Sequence, residues 1–295
     1  MVESLKEFPE GYEVILYLGE ISSEGYEKLT ETLEGLSSGY TKAYFVPVTA
    51  GGDPNKGYRI GRALGHYFPD DVRFFVPDVC KSAGTLIAMG SKELIISDRG
   101  ELGPLDIQLA KKEELFEMSS GLDIIQALQV LQDTVKSSFR SFLFDLRVGA
   151  NLSTKIAAEL ASEMASNLVK PISSQIDPIK LGEHQRALRI ATTYGNRLNQ
   201  KFKNTKTGSI DRLATGYPTH SFIIDRKEAG ELFANVRSPN DIESAFETEL
   251  RSLMKGLTDF ATSKPIVLSL RADEESENEN DEQDNGAAEP ANQAE

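Results

Sequence analysis

The chain has 295 residues, of which 39% are hydrophobic and 26% are charged, a composition typical of globular proteins. No apolar run approaches the ~20 residues of a membrane-spanning helix, so we expect no membrane span, and the first residues lack the pattern of a signal peptide. The single cysteine, Cys80, excludes an internal disulfide and fits a reducing compartment, so we expect a cytoplasmic protein. The net charge is −14 and no cluster of Lys and Arg stands out, so we expect no nucleic-acid partner.

The first part of the chain alternates between predicted strands and predicted helices. Short apolar runs predict four strands, at 13–18, 41–49, 72–76 and 93–97. Ser22 and Asp53 each stand before a helical apolar pattern, and both are residue types that cap a helix N-terminus. Strands that alternate with helices imply crossover connections and a mostly parallel sheet, so we predict an α/β fold.

Ser82 lies at a sharp turn between the strand at 72–76 and a helix of small residues that begins near Ala83. Its hydroxyl can have a structural role, because serine at this position caps helices by accepting a backbone N–H. It can also be a nucleophile, because the free N–H groups and the positive dipole at a helix N-terminus stabilise a developing oxyanion. The turn by itself leaves both interpretations open.

A second turn, Gly51-Gly52, follows the strand at 41–49 and precedes the helix that Asp53 caps. Two glycines here are compatible with nothing more than a tight turn. They also allow backbone N–H groups to approach a substrate closely, as in an oxyanion hole. In that hypothesis the N–H of Gly52 supplies one donor and the N–H of Ala83, which follows Ser82, supplies the other.

The second half of the chain is mostly helical in character. From about residue 122, apolar residues recur at three- and four-residue steps and predict a long amphipathic helix. Further elements are predicted at 153–168 (helix), 182–202 (helix), 221–224 (strand), 225–233 (helix), 241–260 (helix) and 265–270 (edge strand). Asp225 with Glu228 has the pattern of a capping box at the start of its helix.

The last residues form an acidic tail. After Arg271 the chain has ten Asp and Glu, no Lys or Arg, and almost no apolar residue. Such a composition cannot offset the entropy of ordering, so we expect disorder over 272–295. The predicted organisation is therefore one α/β domain over 1–271, with a helical elaboration at about 122–202, followed by the tail.

Three segments, in this order and at these spacings, resemble the serine dehydrogenase proteinase family of the Clp-protease/crotonase superfamily, which is akin to signal peptide peptidase A. The segments are TAGGDPNKGYRIGRAL, CKSAGTLIAMGSKELIISDRGELGPLDIQL and YPTHSFIIDRKEA. The similarity covers roughly residues 12–236. It implies a Clp/crotonase-like spiral of ββα units, a serine-type peptidase that takes peptide or protein substrates, and assembly as a homo-oligomer.

The resemblance also implies a catalytic triad. The family uses Ser, Asp and His in that chain order, and the matching positions are Ser82, Asp106 and His220. His220 would take the proton of Ser82, and Asp106 would orient the imidazole and support its charge. The two remaining histidines, His66 and His184, fit surface positions on helices.

Other residues could replace parts of this triad. Signal peptide peptidase A uses a Ser–Lys dyad, so Lys111, Lys112 and Lys136 are alternative bases, although a lysine base needs burial to lower its pKa. Lys81 is adjacent to Ser82, and neighbouring side chains in a turn usually diverge. Cys80 is interpreted as a small buried residue in preference to a nucleophile.

We expect no cofactor. Three scattered histidines and one cysteine do not have the spacing of a metal site, and no phosphate loop or dinucleotide fingerprint is present. Besides the peptidase, two function classes remain open for this fold. One is a crotonase-like acyl-CoA hydratase or hydrolase, and the other is a non-catalytic assembly module.

Overall fold

The computed structural model describes residues 11–37, 39–105, 108–110, 118–174, 177–254 and 264–270. They belong to two compact units. Unit 1 comprises the described residues within 1–105, 191–217 and 221–295, and unit 2 comprises those within 106–190 and 218–220. Asp106 and the acidic tail, for which the sequence makes predictions, lie outside the described residues.

The chain is a mixed α/β protein, as the sequence predicts. Its strands are β1 (Tyr12–Leu18), β2 (Lys42–Val48), β3 (Asp71–Val76), β4 (Val79–Cys80), β5 (Glu93–Ile96), β6 (Glu101–Leu102), β7 (Gln108–Ala110), β8 (Met118–Ser120), β9 (Val236–Arg237) and β10 (Ile266–Ser269). Its helices are α1 (Ser23–Glu34), α2 (Pro54–Tyr67), α3 (Ala83–Ala88), α4 (Gly121–Phe144), α5 (Thr154–Ser173), α6 (Pro178–Phe202), α7 (Ser209–Thr215), α8 (Arg226–Leu232) and α9 (Asp241–Met254). A π-helical turn, Asp145–Gly149, continues α4. None of the described helices is long and apolar enough to cross a bilayer.

The central sheet of unit 1 has six strands in the order β10-β1-β2-β3-β5-β9. All neighbouring strands are parallel except β10, which runs antiparallel to β1 at the edge. Parallel neighbours require crossover connections, and α1 and α2 provide the first two. The predicted edge strand at 265–270 is thus confirmed.

Side chains that alternate along β1 and β2 give the sheet two apolar faces. One face packs against α9, whose Phe246 and Leu250 are buried in the core. The opposite face carries Ile15, Tyr17 and Phe45, which are buried as well. This burial on both sides explains why the central strands appear in the sequence as continuous apolar runs.

A smaller parallel pair, β4 with β6, extends from the end of β2 and holds the segment around Ser82. Thr49 bridges to Cys80, and Leu102 bridges to Ile224 with N–H···O distances of 2.9 and 3.0 Å. The strand predicted at 221–224 is therefore a single bridge. Its other residues do not continue the ladder.

Three helices are capped by the residues that the sequence predicts. Ser22 accepts an N–H from Gly25, Asp53 from Asn55, and Asp225 from Glu228. Helix α5 extends past the predicted end at 168 to Ser173, with Pro171 inside its last turn. Helix α7 and strand β9 are not predicted from the sequence, because each is too short to show a periodic pattern.

A buried carboxylate joins α9 to the sheet. Glu243 is 1% exposed and accepts two hydrogen bonds from Arg237, at 2.6 and 2.7 Å, and one from Tyr44 at 3.1 Å. Burial raises the pKa of Glu243, but the hydrogen bonds from Arg237 and Asn240 outweigh burial, so the pKa is lowered overall. The ionised form is therefore the stable form in the folded protein.

Replacing Glu243 with glutamine should lower the free energy of unfolding by about 3 kcal/mol, because it removes the buried anionic partner of the Arg237 guanidinium and leaves only the partly exposed Glu93. A lowered pKa contributes stability above the pKa of the unfolded chain, and this contribution is lost as the pH falls through the folded pKa. The variant should therefore lose less stability than the wild type between neutral and acid pH. Urea unfolding at several pH values measures both effects.

The matched control is Glu24→Gln, which breaks an exposed ion pair with Lys28. Exposed pairs of this kind contribute little, so the urea midpoint of this variant should stay close to that of the wild type. Equal losses for Glu243→Gln and Glu24→Gln would contradict a structural role for the buried pair.

Candidate functional site

Ser82 has a strained backbone. It joins β4 to α3 with φ 50° and ψ −111°, a conformation that residues with a Cβ rarely adopt. Such strain costs about 1–3 kcal/mol and persists where the surrounding structure enforces it, often at functional sites. A strained serine between a strand and a helix is also the arrangement by which several hydrolases present a nucleophile.

The hydroxyl of Ser82 does not cap α3. Its side chain makes no capping hydrogen bond, in contrast to Ser22 and Asp53 at the starts of α1 and α2. This finding disagrees with the capping interpretation of the turn. Helix α3 has only six residues, Ala83–Ala88, so any stabilisation of an anion here depends on individual N–H groups and little on a macrodipole.

The Gly51-Gly52 turn lies directly against Ser82. Gly51 has φ 114° and Gly52 has φ 142°, values that favour glycine. A methyl group added to Gly51 would lie 2.8 Å from Cβ of Ser82 and 3.3 Å from its Oγ. One added to Gly52 would lie 2.2 Å from the carbonyl oxygen of Ile21. Both glycines are therefore needed for the close approach of these backbones.

Two backbone donors next to Ser82 have no acceptor among the described residues. One is the N–H of Gly52, although Gly51 and Asp53 on either side both donate. The other is the N–H of Ala83, which is the first residue of α3 and so has no partner within the helix. These are the two groups that the sequence analysis assigns to an oxyanion hole.

Three side chains fix the two turns, and two of them, Thr49 and Thr85, are not predicted from the sequence. Thr49 accepts the N–H of Gly51 at 3.0 Å. Thr85 is fully buried, donates to the carbonyl of Gly103 at 2.8 Å and accepts its N–H at 3.2 Å. Lys81 forms an ion pair with Glu101 at 2.7 Å. A threonine beside a glycine turn is the only sequence signal that pointed to Thr49, and Thr85 had none.

Cys80 is inert. It is fully buried, and burial raises the pKa of its thiol well above the ordinary value, so the reactive thiolate is disfavoured. A methyl group on Gly84 would lie 2.6 Å from its Sγ, which shows how tightly α3 packs on this residue. The predicted role of Cys80 as a small buried residue is consistent with this environment.

The two other predicted triad members are Asp106 and His220. Asp106 lies outside the described residues. His220 is half-buried in a turn and belongs to unit 2, whereas Ser82 belongs to unit 1. The chain on either side of this turn is held in unit 1, because the ring of Tyr217 packs on Phe222 at 4.9 Å and the carbonyl of Ser221 accepts from Lys81 at 3.3 Å.

The lysine alternatives have little support where the structure describes them. Lys136 is 66% exposed and lies 3.8 Å from Asp133, so it lacks the burial that a lysine base requires. The ammonium of Lys81 is occupied by its ion pair with Glu101. Lys111 and Lys112 lie outside the described residues.

Folding assembles a basic cleft that the linear sequence does not show. A cleft of about 260 Å³ lies in unit 1, and Arg62 and His66 of α2 line it together with Arg197 and Lys201 of α6. Lys201 donates a hydrogen bond to the carbonyl of Gly65, which also lines the cleft. Ser82 does not line this cleft, so it is separate from the turns described above.

No protein-family model matches this chain, and no curated protein sequence does either. Among solved structures, the chain is similar to a mutant of the 1510-N membrane-bound stomatin-specific protease. The identity is 16%, the TM-score is 0.31, and the match covers 50% of this chain and 67% of that one. A similarity of this size does not establish a shared fold or activity.

Proposed function

We propose that this protein is a serine-type peptidase that hydrolyses peptide bonds with Ser82 as its nucleophile. The observation that carries the proposal is the backbone of Ser82, which is held at φ 50° and ψ −111° without using its hydroxyl to cap α3. A purely structural serine has no reason to keep this strain, because glycine would adopt the turn more easily. The Clp/crotonase-like spiral that the sequence resembles is part of the same proposal.

In this mechanism the Oγ of Ser82 attacks the carbonyl carbon of the scissile peptide bond. The carbonyl oxygen becomes an oxyanion, which the N–H groups of Gly52 and Ala83 stabilise by hydrogen bonds. The C–N bond then breaks, the amine leaves with the proton that the base took from Ser82, and an acyl-enzyme ester remains. Water attacks the ester, with the same base accepting its proton, and restores the hydroxyl of Ser82.

We assign the base to His220 and its support to Asp106. The assignment rests on the resemblance of the YPTHSFIIDRKEA segment to the serine dehydrogenase proteinase family. The anchoring of Ser221 by Lys81 also supports it, because these residues are the direct chain neighbours of His220 and Ser82. A Ser–Lys dyad is the alternative, and Lys111 and Lys112 are its remaining candidates.

A fluorophosphonate probe tests the proposal, because it reacts with activated serine nucleophiles. We expect labelling of the native full-length chain at Ser82, mapped by mass spectrometry of the tryptic peptide. Heat-unfolded protein should not be labelled. A crotonase-like hydratase or a non-catalytic assembly module has no activated serine, so the absence of labelling in native protein would favour those classes.

Replacing Thr49 with valine should slow this labelling about 10- to 100-fold while the fold persists. Valine has the shape of threonine but cannot accept the N–H of Gly51, so the Gly51-Gly52 turn loses the bond that orients it. A displacement of a positioning group by about 1 Å is enough for an effect of this size. The measurement is the second-order rate constant for the probe.

Thr32→Val is the matched control. The hydroxyl of Thr32 bonds only to its own helix, at the carbonyl of Lys28, and it should be dispensable for labelling. If Thr49→Val and Thr32→Val labelled at the wild-type rate, the Gly51-Gly52 turn would have no part in the reaction.

A further inference from the structure

The basic cleft of unit 1 is a cavity that the proposed peptidase reaction does not use. Its volume of about 260 Å³ is below the range of about 300–1,000 Å³ that is usual for pockets of drug-sized ligands. Its charged lining residues are all basic, namely Arg62 and His66 of α2 with Arg197 and Lys201 of α6, and no described Asp or Glu lines it. A cavity of this size and charge suits a small anion.

Glycines allow α2 and α6 to approach closely enough to form one cleft. A methyl group added to Gly61 would lie 3.0 Å from Cδ2 of Leu198, and one added to Gly65 would lie 3.6 Å from Cδ of Lys201. The residues that directly follow these two glycines are the basic residues that α2 contributes to the cleft. The packing of the two helices therefore gathers four basic side chains around one cavity.

The arginines of the cleft are not neutralised by the protein. In the part of the chain that the structure describes, the side chains of Arg62 and Arg197 form no ion pair and no hydrogen bond. The chain does pair arginines elsewhere, as with Arg73, Arg212 and Arg237. Like charges that share a cleft repel each other, so an anion between them is favoured.

The segments that form the cleft also differ in charge from the rest of the chain. Residues 54–69 and 191–210 together hold seven Lys and Arg and no Asp or Glu, whereas the whole chain has 32 Lys and Arg and 46 Asp and Glu. An acidic chain that keeps two distant segments free of carboxylates concentrates positive potential where those segments meet. Such a concentration raises the local concentration of anions.

The environment of Lys201 points in the same direction. Desolvation lowers the pKa of Lys201, and the charge of Asp70 opposes this effect only in part. The carboxylate of Asp70 is itself engaged, because it accepts a hydrogen bond from Thr41 at 2.7 Å. The ammonium of Lys201 donates to the carbonyl of Gly65, which is a neutral acceptor. An anion in the cleft would supply the negative charge that favours the ammonium form.

We propose that the basic cleft binds a phosphoryl group of a small molecule, held by the guanidinium groups of Arg62 and Arg197. A guanidinium presents its N–H donors in a planar fork that fits phosphate oxygens, and each helix contributes one fork. Tyr58 lines the same cleft, and its ring stacks on Tyr194 at 4.3 Å, which gives the cleft an aromatic wall. The proposal does not depend on the peptidase activity, because Ser82 does not line the cleft.

Calorimetric titration of the full-length chain with sodium pyrophosphate tests the proposal. At about 0.15 M NaCl, which screens exposed charges, we expect saturable binding of one pyrophosphate per chain with a Kd below about 1 mM. Pyrophosphate should also raise the midpoint of thermal unfolding, because it binds the folded chain. ADP is the second probe. Equal affinity would show that the phosphoryl group alone is recognised, and tighter binding of ADP would identify the ligand as a nucleotide.

Variants of the two arginines locate the binding site. Arg62→Gln and Arg197→Gln should each weaken pyrophosphate binding about 10- to 100-fold, the effect of losing a hydrogen bond between charged groups. Arg62→Lys keeps the charge without the fork and should bind with intermediate affinity. Both arginines are exposed, so unfolding without pyrophosphate should stay close to that of the wild type. The matched control is Arg59→Gln, which removes the same charge from α2 outside the cleft and should bind as the wild type does.

Three outcomes would overturn the proposal. The first is no saturable binding of either probe to the wild type up to about 10 mM. The second is equal weakening by Arg59→Gln and Arg62→Gln, and the third is binding of citrate as tight as that of pyrophosphate, since either result would mean that only diffuse charge is recognised. Binding of a single-stranded oligonucleotide without any binding of pyrophosphate would assign the basic residues to a nucleic acid instead. Ser82→Ala should bind pyrophosphate as the wild type does, which separates this test from that of the catalytic proposal.

Discussion

Replacing Ser82 with alanine should abolish fluorophosphonate labelling and lower peptide hydrolysis by a factor on the order of 10⁶ in kcat. The reason is that the variant lacks the oxygen that forms the acyl-enzyme, while the Gly52 and Ala83 donors remain. Hydrolysis of a fluorogenic peptide mixture and probe labelling on a gel are the two measurements. Labelling of the variant to the wild-type level would show that another residue is the nucleophile.

The stability of variants at Ser82 provides a second measurement. The free energy of unfolding of Ser82→Gly should be about 1 kcal/mol higher than that of the wild type, because glycine adopts φ 50° without strain. This gain already allows for the larger loss of chain entropy when glycine folds. Ser82→Ala keeps the strain, so its free energy of unfolding should stay close to that of the wild type. Gain of stability with loss of activity is the signature of a residue retained for function.

Ser22→Ala is the control for both measurements. Ser22 caps α1, so its replacement should cost about 1 kcal/mol of unfolding free energy and leave labelling intact. Replacement of Ser82 should therefore remove labelling without loss of stability, and replacement of Ser22 should lower stability without loss of labelling. If Ser82→Gly were instead destabilising, the turn would depend on the serine side chain for its structure.

The central sheet could be predicted from the sequence because its signals are local. β1, β2, β3 and β5 are short apolar runs, and their alternation with capped helices is enough to indicate parallel pairing. Elements without a local pattern could not be found in this way. β9 has two residues and is a strand only because β5 lies beside it.

The candidate site likewise has parts with a local sequence pattern and parts without one. Ser82 and the Gly51-Gly52 turn are recognisable because each breaks a regular pattern at the end of a strand. The contact between them depends on the pairing of β2 with the β4 segment, through the Thr49–Cys80 bridge, and no local pattern encodes it. The basic cleft is a clearer case, since its cations come from helices α2 and α6, which are far apart in the chain.

Replacing His220 with alanine should lower kcat by about 10⁴-fold or more, since Ser82 would then lack the base that accepts its proton. Asp106→Asn should cost about 10³- to 10⁴-fold, because the histidine remains but loses the group that fixes its tautomer. His66→Ala removes an exposed histidine of α2 and should have no effect on the peptidase. Initial rates with a fluorogenic peptide, measured at saturating substrate, compare the three variants.

The pH dependence separates the histidine base from a lysine base. In the wild type kcat/KM should rise through one group near neutrality, where histidines generally titrate. The kcat/KM of His220→Ala should not show this rise with pH. A Ser–Lys dyad predicts the reverse pattern, in which His220→Ala keeps the wild-type profile and Lys111→Met or Lys112→Met abolishes labelling. The two mechanisms therefore differ both in which variant fails and in the pH at which the wild type becomes active, and agreement of the two measurements is required to assign the base.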